Sequence, residues 1–190
     1  MLVLYAPTGQ KVKDKNAAID ECMERLGKGD KSAMEELYLL TKTDVFAFAL
    51  SKTADRELSE DVMHDTFVQI YKNAALYSPQ GKPMSWIFTV EMNLIRRSYK
   101  LSERTVSIEE QIDNLSDETD FAESFVRSEF ISELLSVLTE AEREIIVLHV
   151  VSGLKHREIS SLLSMPLPTV LSKYHRALKK LKAKVKEGDE

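Results

Sequence analysis

Residues 169–186 carry seven basic side chains and no acidic one, in a chain whose formal net charge is −5. On a helix turning about 100° per residue, Val170, Tyr174, Ala177, Leu178, Leu181 and Val185 share one face. Ser172, His175, Arg176, Lys179, Lys182 and Lys186 share the opposite face. An apolar back with a cationic front suits a helix laid in a DNA major groove: Lys and Arg neutralise phosphates, and Arg or Ser hydrogen-bonds base edges. Basic residues near a helix C-terminus also favour the helix dipole, so charge alone leaves a solvated surface helix as a competing reading. The preceding segment tips the balance. Residues 155–164 read as a short helix and Met165-Pro166-Leu167-Pro168 as a tight turn, which with the long last helix makes a helix-turn-helix candidate.

Other chemistry finds no constellation. Cys22 lies at helical spacing from Ile19, Met23 and Leu26 and reads as a buried structural thiol. His149 and His156 flank Gly153 with no cysteine near, so no zinc ligand set forms, and no nucleophile elbow places a Ser, His and Asp together. Gly27-Lys28-Gly29-Asp30-Lys31-Ser32 lacks the spacing of a phosphate-binding loop. The expectation is therefore no catalytic residue, no metal and no cofactor.

These elements must be positioned by the rest of the 190 residues, which are 43% hydrophobic and 30% charged, a composition that excludes fibrous and fully disordered chains. No run reaches the ~18 apolar residues of a membrane span, and Met1 opens no secretory signal, so the expected location is cytoplasmic. Charge divides the chain. Residues 1–100 hold 14 basic and 14 acidic side chains, residues 101–127 hold 2 and 8, and residues 128–190 hold 10 and 9. The middle stretch, SERTVSIEEQIDNLSDETDFAESFVR, is acidic, rich in Ser and Thr, and aperiodic, as a flexible linker is.

Both flanks read as helical, giving an all-α fold: two small helical domains joined by the acidic linker, the second with the helix-turn-helix. The expected boundaries are a mobile extension over 1–15, a first domain over 16–101, the linker over 102–127 and a second domain over 128–187. Ile19, Cys22, Met23 and Leu26 mark a helix over 16–26, and Asp30 is placed to cap the next. Another helix is expected to begin near Glu60 with Ser59 as cap, and Pro83 opens one bearing Trp86, Ile87, Val90 and Leu94. Trp86 reads as core. Phe130, Ile131, Leu134, Leu135 and Leu138 mark a helical stripe, and Thr139-Glu140-Ala141-Glu142 is a capping box.

The segment GLKHREISSLLSMPLPTVLSKYHRALKKL resembles the second conserved region of bacterial sigma-70 family factors, in the extracytoplasmic-function group, through Gly153, Glu158, Ile159, Thr169, Val170, Ser172, His175, Arg176 and Ala177. The segment LSEDVMHDTFVQIYKNAALYSPQGKPMSWIFTVEMNLIRR is similar to the family's other conserved region. The resemblance implies a factor that binds RNA polymerase core and directs promoter-specific initiation. It implies contact of Glu60, Asp61, His64 and Asp65 with the clamp of the β′ subunit, where carboxylates can pair with Arg. It further implies that Asn93 accommodates a flipped base of the −10 element while Arg96, Arg97 and Lys100 track the strand. The −35 element would fall to Thr169, Ser172, Lys173, His175, Arg176, Lys179 and Lys180, and an anti-sigma protein is the implied regulator. Pro168 stands where the family usually has Gly, and Leu171 at a commonly basic position. The alternative is a stand-alone helix-turn-helix regulator whose first domain dimerises or senses.

Overall fold

The computed structural model describes residues 9–104 and 135–188, with side chains given for 12–99 and 135–186. The expected linker beyond 104, the Phe130, Ile131 and Leu134 stripe, and residues 1–8 of the expected extension lie outside the described residues. Among the described residues every regular element is helical: α1 (Gly9–Gly27), α2 (Ala33–Thr53), α3 (Arg56–Asn73) with a 3-10 turn Ala74–Leu76, and α4 (Pro83–Arg104). The second part holds α5 (Glu140–Ile146), which widens into a π-helical turn Val147–Val151, then α6 (His156–Leu162) and α7 (Leu167–Gly188).

Helix α2 is the axle of the first part. Its run Asp44-Val45-Phe46-Ala47-Phe48-Ala49 is buried all round, as expected of a helix apolar on every side, with α1, α3, α4 and the π-helical turn packed about it. Edge-to-face contacts of Phe48 with Phe88 and of Tyr38 with Phe67, at centroid separations of 5.0 and 4.9 Å, fix α2 against α4 and α3. The buried hydroxyls of Thr41 and Ser51 donate back to the carbonyls of Leu37 and Phe48, both at 2.7 Å, so neither is left unsatisfied.

Two helix starts differ from the sequence reading. Helix α1 begins at Gly9 rather than near residue 16, because Lys15 reaches the buried Asp44 at 2.6 Å and Val12 packs against Gly153, tying the early turns down. Helix α3 is capped by Asp55, whose carboxylate accepts the Leu58 N–H at 3.0 Å, and Ser59 lies buried within the first turn, bonded to Thr53. Asp30 works just ahead of α2, accepting the N–H and hydroxyl of Ser32 at 3.0 and 2.6 Å.

The two parts meet along a seam instead of standing apart. One apolar cluster runs from Ile19, Phe48, Phe88 and Met92 through Leu148, Leu154, Ile159 and Val170. Lys52 of α2 bridges Glu140 and Glu144 of α5 at 3.1 and 2.9 Å, and Lys82 approaches Glu158 of α6 at 3.8 Å. Burial by itself would lower the Lys52 pKa, yet the Glu144 and Glu140 carboxylates hold it above the usual lysine value. Gly153 has φ +71°, and a Cβ there would come within 2.8 Å of Val12, so both backbone conformation and close approach demand glycine.

Candidate nucleic-acid interface

Helix α7 is held from behind. Val170, Ala177 and Leu181 are buried, the first against the seam cluster and the other two against Leu138 and Ile146. Pro168 is the helix's second residue, where a missing N–H costs nothing. The turn before it closes through Met165 N–H to the Ser160 carbonyl at 3.0 Å and the Ser160 hydroxyl to the Met165 carbonyl at 2.7 Å. Ser164 enters that turn at φ 51°, a left-handed conformation that is unfavourable for a side-chain-bearing residue.

Ser172, His175, Arg176 and Lys179 stand exposed on the outer face of α7, with Thr169 and Lys173 half-buried along its edges. Arg176 Nε lies 3.4 Å from the Ser172 carbonyl. Lys180 differs from these. Its ammonium sits 2.6 Å from Glu142, the residue that completes the capping box of α5, where the Thr139 N–H reaches Glu142 at 3.0 Å and the Glu142 N–H reaches Thr139 at 3.4 Å. Burial would raise the Glu142 pKa, but Lys180 and Thr139 hold the carboxyl below its usual range. Lys180 thus anchors the helix in addition to its place beside the basic strip.

Glu60, Asp61, His64 and Asp65 are all exposed on one side of α3, while Val62, Thr66, Phe67 and Ile70 are buried on the other. Arg56 Nε pairs with Glu60 at 2.9 Å. On α4, Asn93, Arg96 and Arg97 are exposed together, beside buried Met92 and Ile95; Lys100 follows one turn later, its side chain outside the described residues. Trp86 is half-buried and packs edge-to-face on Tyr77 at 5.4 Å, a core role.

Where α4 faces the helix-turn-helix, Arg96, Met92 and Ile95 line a cleft of about 360 Å³ with Leu163 and Met165 of the turn and Lys52, Glu140 and Glu144 of the seam. Sequence spacing carried no sign of these contacts, because Lys52 and Glu144 are 92 positions apart. Nor did it suggest that His149 and His156 stack on each other, beneath Tyr174 of α7.

Two helical parts, one with an acidic exposed face on α3 and a basic one on α4, the other with a cationic helix buried along its back in a helix-turn-helix, define the layout of a DNA-binding factor. Residues 37–105 match the family model described as Sigma-70 region 2, and residues 130–181 that described as Sigma-70, region 4. The chain belongs to the sigma-70 family, in the extracytoplasmic-function group, and is a sigma factor: it binds RNA polymerase core and directs promoter-specific transcription initiation. It is 24% identical over 174 residues to an ECF RNA polymerase sigma factor SigK of Mycobacterium sp. (strain KMS), covering 86% of this chain and 89% of the relative. It is 26% identical over 171 residues to SigK of Mycobacterium tuberculosis (strain ATCC 25618 / H37Rv), covering 86% and 91%. The fold is shared with CnrH, solved in complex with the cytosolic domain of CnrY, at a TM-score of 0.62 and 20% identity over 90% of this chain and 98% of that one. It is shared too with the sigma factor RpoE in complex with the anti-sigma factor NepR from Bartonella quintana, at 0.58 and 21% over 80% and 96%. No helix among the described residues is long and apolar enough to cross a membrane.

Proposed function

We propose that the sigma-factor work of this chain is divided among three exposed strips. Glu60, Asp61, His64 and Asp65 on α3 meet basic residues of the β′ clamp. Asn93, Arg96, Arg97 and Lys100 on α4 hold the melted −10 strand, Asn93 taking a flipped base. Thr169, Ser172, Lys173, His175, Arg176, Lys179 and Lys180 on α7 serve the −35 element, Lys180 while keeping its hold on Glu142. The observation that carries this division is the exposure of Ser172, His175, Arg176 and Lys179 on a helix whose opposite face is buried. The proposed division is 16–101 for the polymerase-binding and −10-binding part, with the first turns of α1 from Gly9 joined to it, 102–127 for the tether, which begins within the last turn of α4, and 128–187 for the −35-binding part.

In this reading the chain performs no catalysis of its own; bond formation belongs to the polymerase. It acts in the cytoplasm, and an anti-sigma protein regulates it, as the complexed states of CnrH and RpoE support. Arg96 lies in the cleft beside Leu163 and Met165, so the free chain keeps part of its −10 strip against the helix-turn-helix, and binding to the polymerase separates the two halves. Run-off transcription with purified core polymerase on genomic promoter fragments tests the whole reading. Redirected initiation that depends on Arg176 and on Asp61 supports it, and initiation indifferent to both substitutions overturns the assignment of strips.

A further inference from the structure

Three elements of the second part converge on one group of rings. His149 comes from the π-helical turn, His156 is the first residue of α6, and Tyr174 faces inward from α7. The two imidazoles lie 4.2 Å apart, centroid to centroid, at 33°. Tyr174 meets them edge-to-face at 5.0 and 4.7 Å, and its neighbour His175, on the exposed face, is 5.6 Å from it. The Leu154 carbonyl can only accept, so His149 Nδ1–H donates to it at 2.7 Å. His156 Nε2 is buried and has no hydrogen-bond partner.

This arrangement suits neutral rings. Protonating His156 would place an N–H at a buried Nε2 that has no acceptor. His149, one ring-spacing away, offers no negative charge to balance it. The surroundings offer little compensation. His175 of α7 could only add positive charge, and Tyr174 is neutral. Glu158 of α6 is engaged by the Lys155 N–H at 2.8 Å and approached by Lys82 of α4, and Asp44 of α2 is paired with Lys15 of α1. No carboxylate among the described residues bonds either imidazole.

We propose that His156, stacked on His149 beneath Tyr174, is a positioning residue for the −35 helix: neutral, it seats α7 for promoter contact, and its protonation unseats the helix, so that promoter recognition weakens as pH falls. The proposal rests on the reading of α7 as the −35 helix. The sign agrees with the site's electrostatics, since burial, then His149 and His175, hold the His156 imidazole below the ordinary histidine value. The seated form therefore binds fewer protons than the released one. It is fully favoured above about pH 6.5 and loses ground as pH drops below that.

The test measures binding of the reconstituted holoenzyme to a −35-dependent promoter from about pH 7.5 to about pH 5.5, each protein normalised to its own value at the upper end. The wild type is compared with His156→Phe, which keeps a ring in the stack but cannot titrate, and Arg176→Ala reports on α7. Wild-type binding should fall several-fold further than that of His156→Phe over this range. Parallel profiles, with Arg176→Ala weakened at pH 7.5, overturn the seat while leaving the −35 reading intact. Undiminished binding by Arg176→Ala at pH 7.5 overturns the −35 reading itself. Should His156→Phe fail to fold by circular dichroism, His156→Gln, which cannot titrate either, takes its place with the same two outcomes.

Discussion

Lys180 Nζ lies 2.6 Å from the Glu142 carboxylate, so the helix proposed to read DNA is tied to the capping box of a helix 38 positions earlier. Glu142 is buried, and removing its cation leaves a charge with too few partners. Lys180→Ala should lower the stability of the chain by about 1–3 kcal/mol in urea denaturation, whereas Lys179→Ala should leave it within about 0.5 kcal/mol. The Glu142 carboxyl sits below its usual range, so its contribution is complete above the unfolded carboxylate value near 4.5 and is lost as pH falls through the folded one. The gap between wild type and Lys180→Ala should therefore close in acid.

Arg176→Ala and Lys179→Ala should each reduce promoter binding by the holoenzyme and flatten its salt dependence by about one unit of slope if each contacts one phosphate. Affinity for core polymerase should be unchanged. Electrophoretic mobility shifts across a salt series, beside a core-binding titration, check both halves.

Asp61→Ala and Asp65→Ala remove exposed carboxylates from α3. Core affinity should drop while the thermal midpoint stays put, since exposed substitutions of this kind shift stability by no more than about 0.5 kcal/mol. Fluorescence anisotropy with labelled chain and core polymerase, plus a melting scan, tests this; unchanged affinity would remove α3 from the proposed clamp contact.

Glu91 of α4 is fully buried, with neither carboxyl oxygen hydrogen-bonded, and burial pushes its pKa well above the usual carboxylate range. The folded chain holds that proton more tightly than the unfolded one. Stability from this group is full below about pH 4.5 and declines as pH rises towards the folded value. Glu91→Met should raise stability near neutral pH by about 1–3 kcal/mol, with the gain shrinking in acid. Calorimetry at several pH values would show it, and a loss at neutral pH would mean that the carboxyl has a partner in the native chain.

Ser164 stands at φ 51° in the turn of the helix-turn-helix. Ser164→Gly should therefore stabilise the chain by about 1 kcal/mol, read as a higher midpoint in chemical denaturation. A lower midpoint would show that a serine contact outweighs the backbone strain.

The helical course of the chain was legible because its signals are local. Thr139 and Glu142 spell a capping box three residues apart, and the wheel of α7 puts Val170, Ala177 and Leu181 inside and Arg176 and Lys179 outside. The start of α3 was less legible: Ser59 was expected as its cap, but Asp55 caps it because its carboxylate accepts the Leu58 N–H in the first turn. Associations between distant stretches left no trace in spacing. Lys52 could serve many acidic partners until α2 and α5 are packed together, and His149 and His156 flank a turn that stacks them only once Gly153 folds it. The strips on α3 and α4 became legible through the family motifs, since four exposed polar residues on a helix are by themselves unremarkable.

The seam has a bearing on how far this factor can be treated as interchangeable parts. Val12 fills the space that only Gly153 leaves open, and Lys52 spans Glu140 and Glu144. A chimera that grafts a foreign reading domain after residue 127 would import a new promoter preference, yet it would present a mismatched surface to α1 and α2. Such hybrids should need Val12 and Lys52 recut to suit the newcomer, so the natural unit of exchange is the reading domain together with the patches that receive it.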